Sequence, residues 1–217
     1  MLDFPKSTLF NKRIPKQKFY QHLELSSGVE RQFVQEIETI FWKNKLSVET
    51  LNVGKGSAVT EIEVFEIQLK VQAISKNLIE VIDREIPYHL VFVLRYMELG
   101  QIWISYKEES KNRQDKFKVN SYYTTPWMEA SQLSLTLDGL NLDTIYNNFI
   151  RQVAGQKLQV DDGSQIKIAI DHAKETEKLK TAITALESKI LNEKQFNLQV
   201  RWMGRLRKLK AQLNEIE

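Results

Sequence analysis

Five consecutive apolar residues, Leu90-Val91-Phe92-Val93-Leu94, limit the fold of this chain more than any other feature. The run has the length of a strand, and successive strand side chains point to opposite faces, so it demands apolar cover on both sides. A sheet with packed layers is the starting expectation. This is also the longest apolar run in the chain, far short of the ~20 residues that span a bilayer.

Flanking segments supply the layers. From Thr60 to Lys70 the side chains alternate, with Glu61, Glu63, Phe65, Ile67 and Leu69 on one face and Ile62, Val64, Glu66, Gln68 and Lys70 on the other. This predicts a strand whose second half turns Phe65, Ile67 and Leu69 inward. Ile74, Leu78, Val81, Ile82 and Ile86 then share one side of a helix stopped by Pro87. Gly100 marks a turn into a partner strand, Gln101 to Lys107; Glu108 to Asp115 reads as a loop and Lys116 to Tyr123 as another strand. Ser131 to Leu137 alternates with Leu133, Leu135 and Leu137 on one face. Upstream, Ser27-Gly28-Val29-Glu30 has the form of a capping box, and Phe33, Ile37, Ile40 and Phe41 recur as one helical face. Asn141 can cap a helix carrying Leu142, Ile145, Tyr146, Phe149, Ile150 and Val153, closed by Gly155. Residues 1–155 thus read as an α+β domain, a central mixed sheet with packed helices.

Residues 156–166 read as a linker, and 167–217 carry a different pattern. Thr176, Leu179, Ile183, Leu186 and Ile190 form a heptad seam, and Trp202, Leu206, Leu209, Leu213 and Ile216 form a second. The two are offset by two residues, which neither a stutter nor a stammer explains. A turn around Asn192 to Asn197 and an antiparallel helical hairpin follow; one continuous helix is the alternative.

Composition closes off several chemistries. Among 217 residues there is no cysteine, which excludes disulfides, thiolate zinc sites and thiol nucleophiles. His22, His89 and His172 are far apart, without metal-ligand spacing. The N-terminus lacks the pattern of a signal peptide, so a cytoplasmic protein is expected, with no membrane partner. Gly54-Lys55-Gly56-Ser57 lacks the Walker spacing and reads as a plain loop.

The net charge of +3 hides two basic regions. The N-terminal arm holds Lys6, Lys12, Arg13, Lys16 and Lys18 against Asp3, with Pro5 and Pro15 opposing helix and Phe4, Phe10, Ile14, Phe19 and Tyr20 interspersed. It reads as an extended arm, lying across its own domain or contacting nucleic acid or a partner. Between Lys194 and Lys210 stand Lys194, Arg201, Arg205, Arg207, Lys208 and Lys210 with no acid. That stripe suits phosphates or an acidic protein surface, and the neighbouring Trp202 and Met203 favour protein. These residues, with Lys12, Arg13 and Lys16, are the candidate partner-binding set.

One arrangement tempts a catalytic reading. Glu66, Gln68 and Lys70 share a strand face as the acid-x-Lys pair does in metal-dependent nucleases of the PD-(D/E)xK type, where carboxylates hold magnesium and the lysine lies near the attacking water. Glu36 or Glu38 could complete the shell. Glutamine is a poor divalent-metal ligand, and no aspartate between Asp3 and Asp83 is available to help. The solvated polar face of a strand is the simpler reading, and no cofactor is expected.

Several segments together carry a resemblance: Asn11-Lys12-Arg13-Ile14-Pro15-Lys16 with Phe19-Tyr20, Phe41-Trp42-Lys43-Asn44-Lys45-Leu46, Val64-Phe65-Glu66-Ile67-Gln68-Leu69-Lys70, Ile86-Pro87-Tyr88-His89, Leu140-Asn141-Leu142-Asp143 with Arg151-Gln152, and Glu193-Lys194-Gln195-Phe196-Asn197. The chain resembles the bacterial domain-of-unknown-function family numbered 4391. That resemblance implies an accessory subunit of restriction-like anti-phage defence systems, acting with a helicase or DNA methyltransferase. It transfers no catalytic motif. The expected function is a non-catalytic adaptor that binds such a partner and contacts DNA, with the metal-dependent nuclease as the alternative.

Overall fold

The structure, a computed structural model, describes residues 2–21, 25–109, 117–158 and 166–216. It divides into two compact units, one extending through Gln156 and the other taking in the two C-terminal helices.

In the first unit the strands are β1 (Leu9–Ile14), β2 (Ile37–Leu46), β3 (Ile62–Leu69), β4 (His89–Tyr96), β5 (Leu99–Glu109), β6 (Phe117–Thr124) and β7 (Met128–Glu129). The helices are α1 (Gln17–Gln21), α2 (Ser27–Glu36), α3 (Val48–Leu51), α4 (Lys76–Glu85) and α5 (Leu142–Ala154). The sheet order is β1-β2-β3-β4-β5-β6, with β7 on β5. Only the β3–β4 pair is parallel among the described residues, joined through α4; the other pairs are antiparallel.

Leu90 to Leu94 behave as their sequence demands, every one at 6% exposure or less. Phe65, Ile67, Leu69, Leu90, Phe92 and Leu94 pack with Phe33 of α2 and with Leu78, Ile79 and Ile82 of α4. By strand alternation Val64, Val91, Val93, Ile102 and Ile104 face the other way, and all are buried. On that side α5 is anchored by Tyr146, whose hydroxyl donates to Ser105 O at 2.6 Å. Asn141 caps α5 as expected, accepting from Thr144 N at 2.9 Å, and Gly155 ends it at φ +53°.

Three local expectations are corrected. The helix predicted through Phe41 stops at Glu36, and Ile37, Ile40 and Phe41 belong to β2. The β2–β3 register shifts between Ile37 and Thr39. That bulge brings Ile37 and Ile40, three residues apart, onto one buried side and imitates helical spacing. The capping box at Ser27 is replaced by Ser26 at the N-cap, which makes no side-chain cap bond among the described residues. The turn before β5 is at Met97 (φ +51°), whereas Gly100 lies within β5, where a Cβ would strike Leu133.

The N-terminal arm is paired: β1 lies antiparallel on β2 as an edge strand. Leu133 and Leu135 are buried as their alternation implies, although that segment pairs with no strand among the described residues. The predicted loop at 108–115 and the linker at 156–166 fall largely outside the described residues.

The second unit is the helical hairpin, α6 (Ile166–Asn192) and α7 (Phe196–Ile216), which pack on one another. Its turn is Glu193 to Gln195, and Gln199 Nε2 donates back to Glu193 O at 2.7 Å. Ile183 and Leu186 are buried, and the other positions of both predicted seams are half-buried.

Candidate functional site

The exposed surface of α7 gathers most of the predicted binding residues. Arg201, Arg205 and Lys208 recur at i, i+4 and i+7, one exposed stripe beside the seam. Arg207 is exposed on the outer side, and Lys194 lies in the turn. Lys210 is held by Glu187 of α6 at 2.7 Å. Trp202 is half-buried, with the Lys189 ammonium 5.7 Å from its ring, beside a hollow of about 320 Å³ lined by Ala185, Ser188 and Asn192. Phe196, Val200 and Met203 are 74%, 51% and 44% exposed and share one side of α7.

The arm residues lie on the first unit. Lys12 and Arg13 are exposed on the edge strand, while Lys16 donates to Ile37 O at 2.7 Å. Desolvation, and then the nearby Lys70 and Arg13 charges, hold the Lys16 ammonium below its ordinary range despite Glu38.

The strand with the nuclease-like spacing is occupied by structural work. Glu66 pairs with Lys43 at 3.5 Å, and Lys70 Nζ donates to Val34 O at 2.7 Å, satisfying the carboxyl end of α2. Gln68 is half-buried opposite Thr39. Glu36 accepts from Ser75 N and Oγ, both at 2.6 Å, and so fixes the start of α4; Glu38 is exposed. Among the described residues no three His, Cys, Asp or Glu side chains gather closely enough to hold a metal ion.

A buried polar cluster appears where sequence spacing signals nothing, because its members come from four elements. Lys107 of β5 meets Asp83 of α4 at 2.8 Å, with side-chain exposures of 1% and 0%. The ammonium also donates to Tyr88 O at 2.7 Å and Asp83 O at 3.3 Å, and the Tyr122 hydroxyl donates to Asp83 Oδ2 at 2.9 Å. Burial lowers the affinity of Lys107 for its proton, against the pull of Asp83. Burial and the Asp83 charge keep the Tyr122 phenol protonated far above its ordinary range. His89, wedged edge-on between Phe117 and Tyr146, is driven down to about 3, first by burial and then by the Lys107 charge, so it is neutral.

Above this cluster lies a cleft of about 550 Å³ between α4 and β6, rimmed by Lys76, Glu80, Arg84 and Asn120. Through these contacts the cluster braces α4 against β5 and β6.

Glu63 of β3 is a second buried group. Burial and then its hydrogen bond to Glu61 push its carboxyl up to about 8, against a 2.6 Å bond from Trp42 Nε1. The native state therefore holds a proton that the unfolded chain releases above its ordinary carboxyl range. Stability falls as pH rises from that range through about 8. Glu63→Gln should remove this fall, about 2 kcal/mol between roughly pH 5 and 7, as measured by urea unfolding at both values. An unchanged slope would sink the assignment.

An α+β unit with helices on both faces of its sheet, followed by an antiparallel helical hairpin with a basic, partly apolar outer surface, is the class of protein defined here. The chain belongs to the family described as a domain of unknown function, DUF4391, whose family model matches residues 2–213. No curated protein and no solved structure gives a significant match.

Proposed function

We propose that this chain is a non-catalytic accessory subunit that docks a protein partner through its C-terminal hairpin. The observation that carries the reading is the surface of α7, where Phe196, Val200 and Met203 are exposed on one strip with Arg207, and the cations Arg201, Arg205 and Lys208 form a separate exposed stripe. Exposed apolar side chains next to arginines are the make-up of protein interfaces more than of phosphate-binding surfaces. The residue-level resemblance supports a helicase or DNA methyltransferase of a cytoplasmic, restriction-like defence system as that partner.

The test is an affinity pull-down from the native host, with nuclease added to remove DNA bridges. A helicase or methyltransferase should co-purify with the chain. Reversing Arg201, Arg205 and Lys208 to glutamate should cut its recovery at least tenfold with helix content unchanged. Recovery of the chain as a lone monomer, or a partner indifferent to the triple reversal, overturns the proposal.

A further inference from the structure

The sheet face turned away from α2 and α4 is only partly covered, and we infer that its open part binds a single strand of nucleic acid. This site belongs to the first unit alone and is independent of docking through the hairpin.

Strand register places its residues. Arg13 of β1 lies opposite Phe41 of β2, Phe41 opposite Glu66 of β3, and Glu66 opposite Val93 of β4. The next row on the same face runs through Thr39, Gln68 and Arg95. Phe65, Ile67 and Phe92 pack toward α2 and α4, so by strand alternation these two rows point the other way. On that side α5 packs chiefly on β5 and β6. The cover reaches Val93, which is buried, whereas Thr39, Phe41, Glu66, Gln68 and Arg95 are half-buried and Arg13 is exposed. Lys43 leans over this face, its ammonium 5.5 Å from the Phe41 ring and 3.5 Å from Glu66.

Positive charge and an aromatic ring coincide here. Glu66 is the one acid on the two rows, and Lys43 already matches it. Glu38, at the margin, acts on Lys16. Arg13 and Arg95 make no ion pair among the described residues. They stand three strand intervals apart, about 14 Å at ordinary strand spacing, with Phe41 and Gln68 between them. Two uncompensated guanidinium groups on either side of a ring suit the phosphates on either side of a stacked base. Thr39 and Gln68 add hydrogen-bonding groups beside the ring for a base edge. A duplex keeps its bases stacked on one another and would leave Phe41 unused. An acidic peptide would answer the arginines without needing the ring.

The experiment measures the fluorescence anisotropy of a labelled oligo-dT strand of about 20 nucleotides with the purified full chain. The strand should bind at low salt and loosen as salt is added. Arg13→Glu combined with Arg95→Glu, both accessible positions, should weaken binding at least about tenfold. Phe41→Ala should weaken it roughly tenfold and Phe41→Trp should retain it, since stacking needs a ring of any kind. Reversing Arg201, Arg205 and Lys208 should leave binding unchanged, each variant being matched to the parent chain by circular dichroism. No binding at low salt, equal binding of the duplex with oligo-dA, or loss with the hairpin reversal but not with the sheet pair would each overturn the inference. Polyglutamate competing as well as unlabelled oligo-dT would overturn it in favour of an acidic protein.

Discussion

Lys107→Met should destabilise the first unit by about 4 kcal/mol, because it leaves the Asp83 carboxylate buried without its counter-charge. Both side chains are essentially sealed from solvent and 2.8 Å apart. Methionine cannot donate to the carboxylate, and among the described residues Tyr122 remains as its side-chain donor. Asp83→Asn should cost a similar amount, leaving the ammonium with carbonyl acceptors only. The double variant Asp83→Leu with Lys107→Met should recover most of the loss, since removing both charges removes both desolvation penalties. Tyr122→Phe, which deletes one hydrogen bond to a charged group, should cost about 1–2 kcal/mol. Urea unfolding followed by hydrogen exchange at the β4 and β5 amides reads these differences. A single substitution costing under about 1 kcal/mol would show that water reaches the pair and that it is no brace.

Asp143→Ala should cost about 3 kcal/mol, through a contact that looks at first like a phosphate loop. The loop after Gly54 does turn its amides toward an anion, and that anion is Asp143 in the first turn of α5. Its carboxylate accepts from Ser57 N at 2.6 Å, Ser57 Oγ at 2.7 Å, Ala58 N at 3.1 Å and Val59 N at 2.7 Å. Burial raises this carboxyl, but the Ser57 hydroxyl and the three amides outweigh it and hold the group below its ordinary range. The stability it supplies is therefore complete above the ordinary aspartate range and is lost as pH falls through its lower native value. Asp143→Asn should cost about half as much and flatten the acid limb of the pH–stability curve. Gly56→Ala should mimic the loss, because a Cβ there would lie 2.5 Å from Asp143 Oδ1. An acid limb unchanged in Asp143→Asn would refute the assignment.

Much of the architecture could be read from residue spacing. Leu90 to Leu94 announced a strand covered on both faces, and the seams through Ile183 and Leu206 announced the hairpin, because those patterns repeat along uninterrupted elements. Ile37 and Ile40 misled because a bulge changes the period of a strand. The β-branched and aromatic run Ile37-Glu38-Thr39-Ile40-Phe41-Trp42 was the available signal for β2. Asp83, Lys107, Tyr122 and Tyr146 could not be joined in advance, since contacts between α4, β5, β6 and α5 leave no mark on spacing within any one of them. The Gly54 loop turns its amides to Asp143, a partner 86 residues from Ser57 and equally out of reach of residue spacing.

Among its described residues α7 buries no side chain fully, and its seam is only half covered by α6. Such a helix has a shallow free-energy well, and its amides should exchange with solvent well before those of β4. On the docking proposed above, a partner seated on its outer face would also complete its folding. Affinity and helicity would then be one thermodynamic quantity: a substitution that frays α7 would weaken association without touching the partner, and a bound partner would slow exchange along the whole helix.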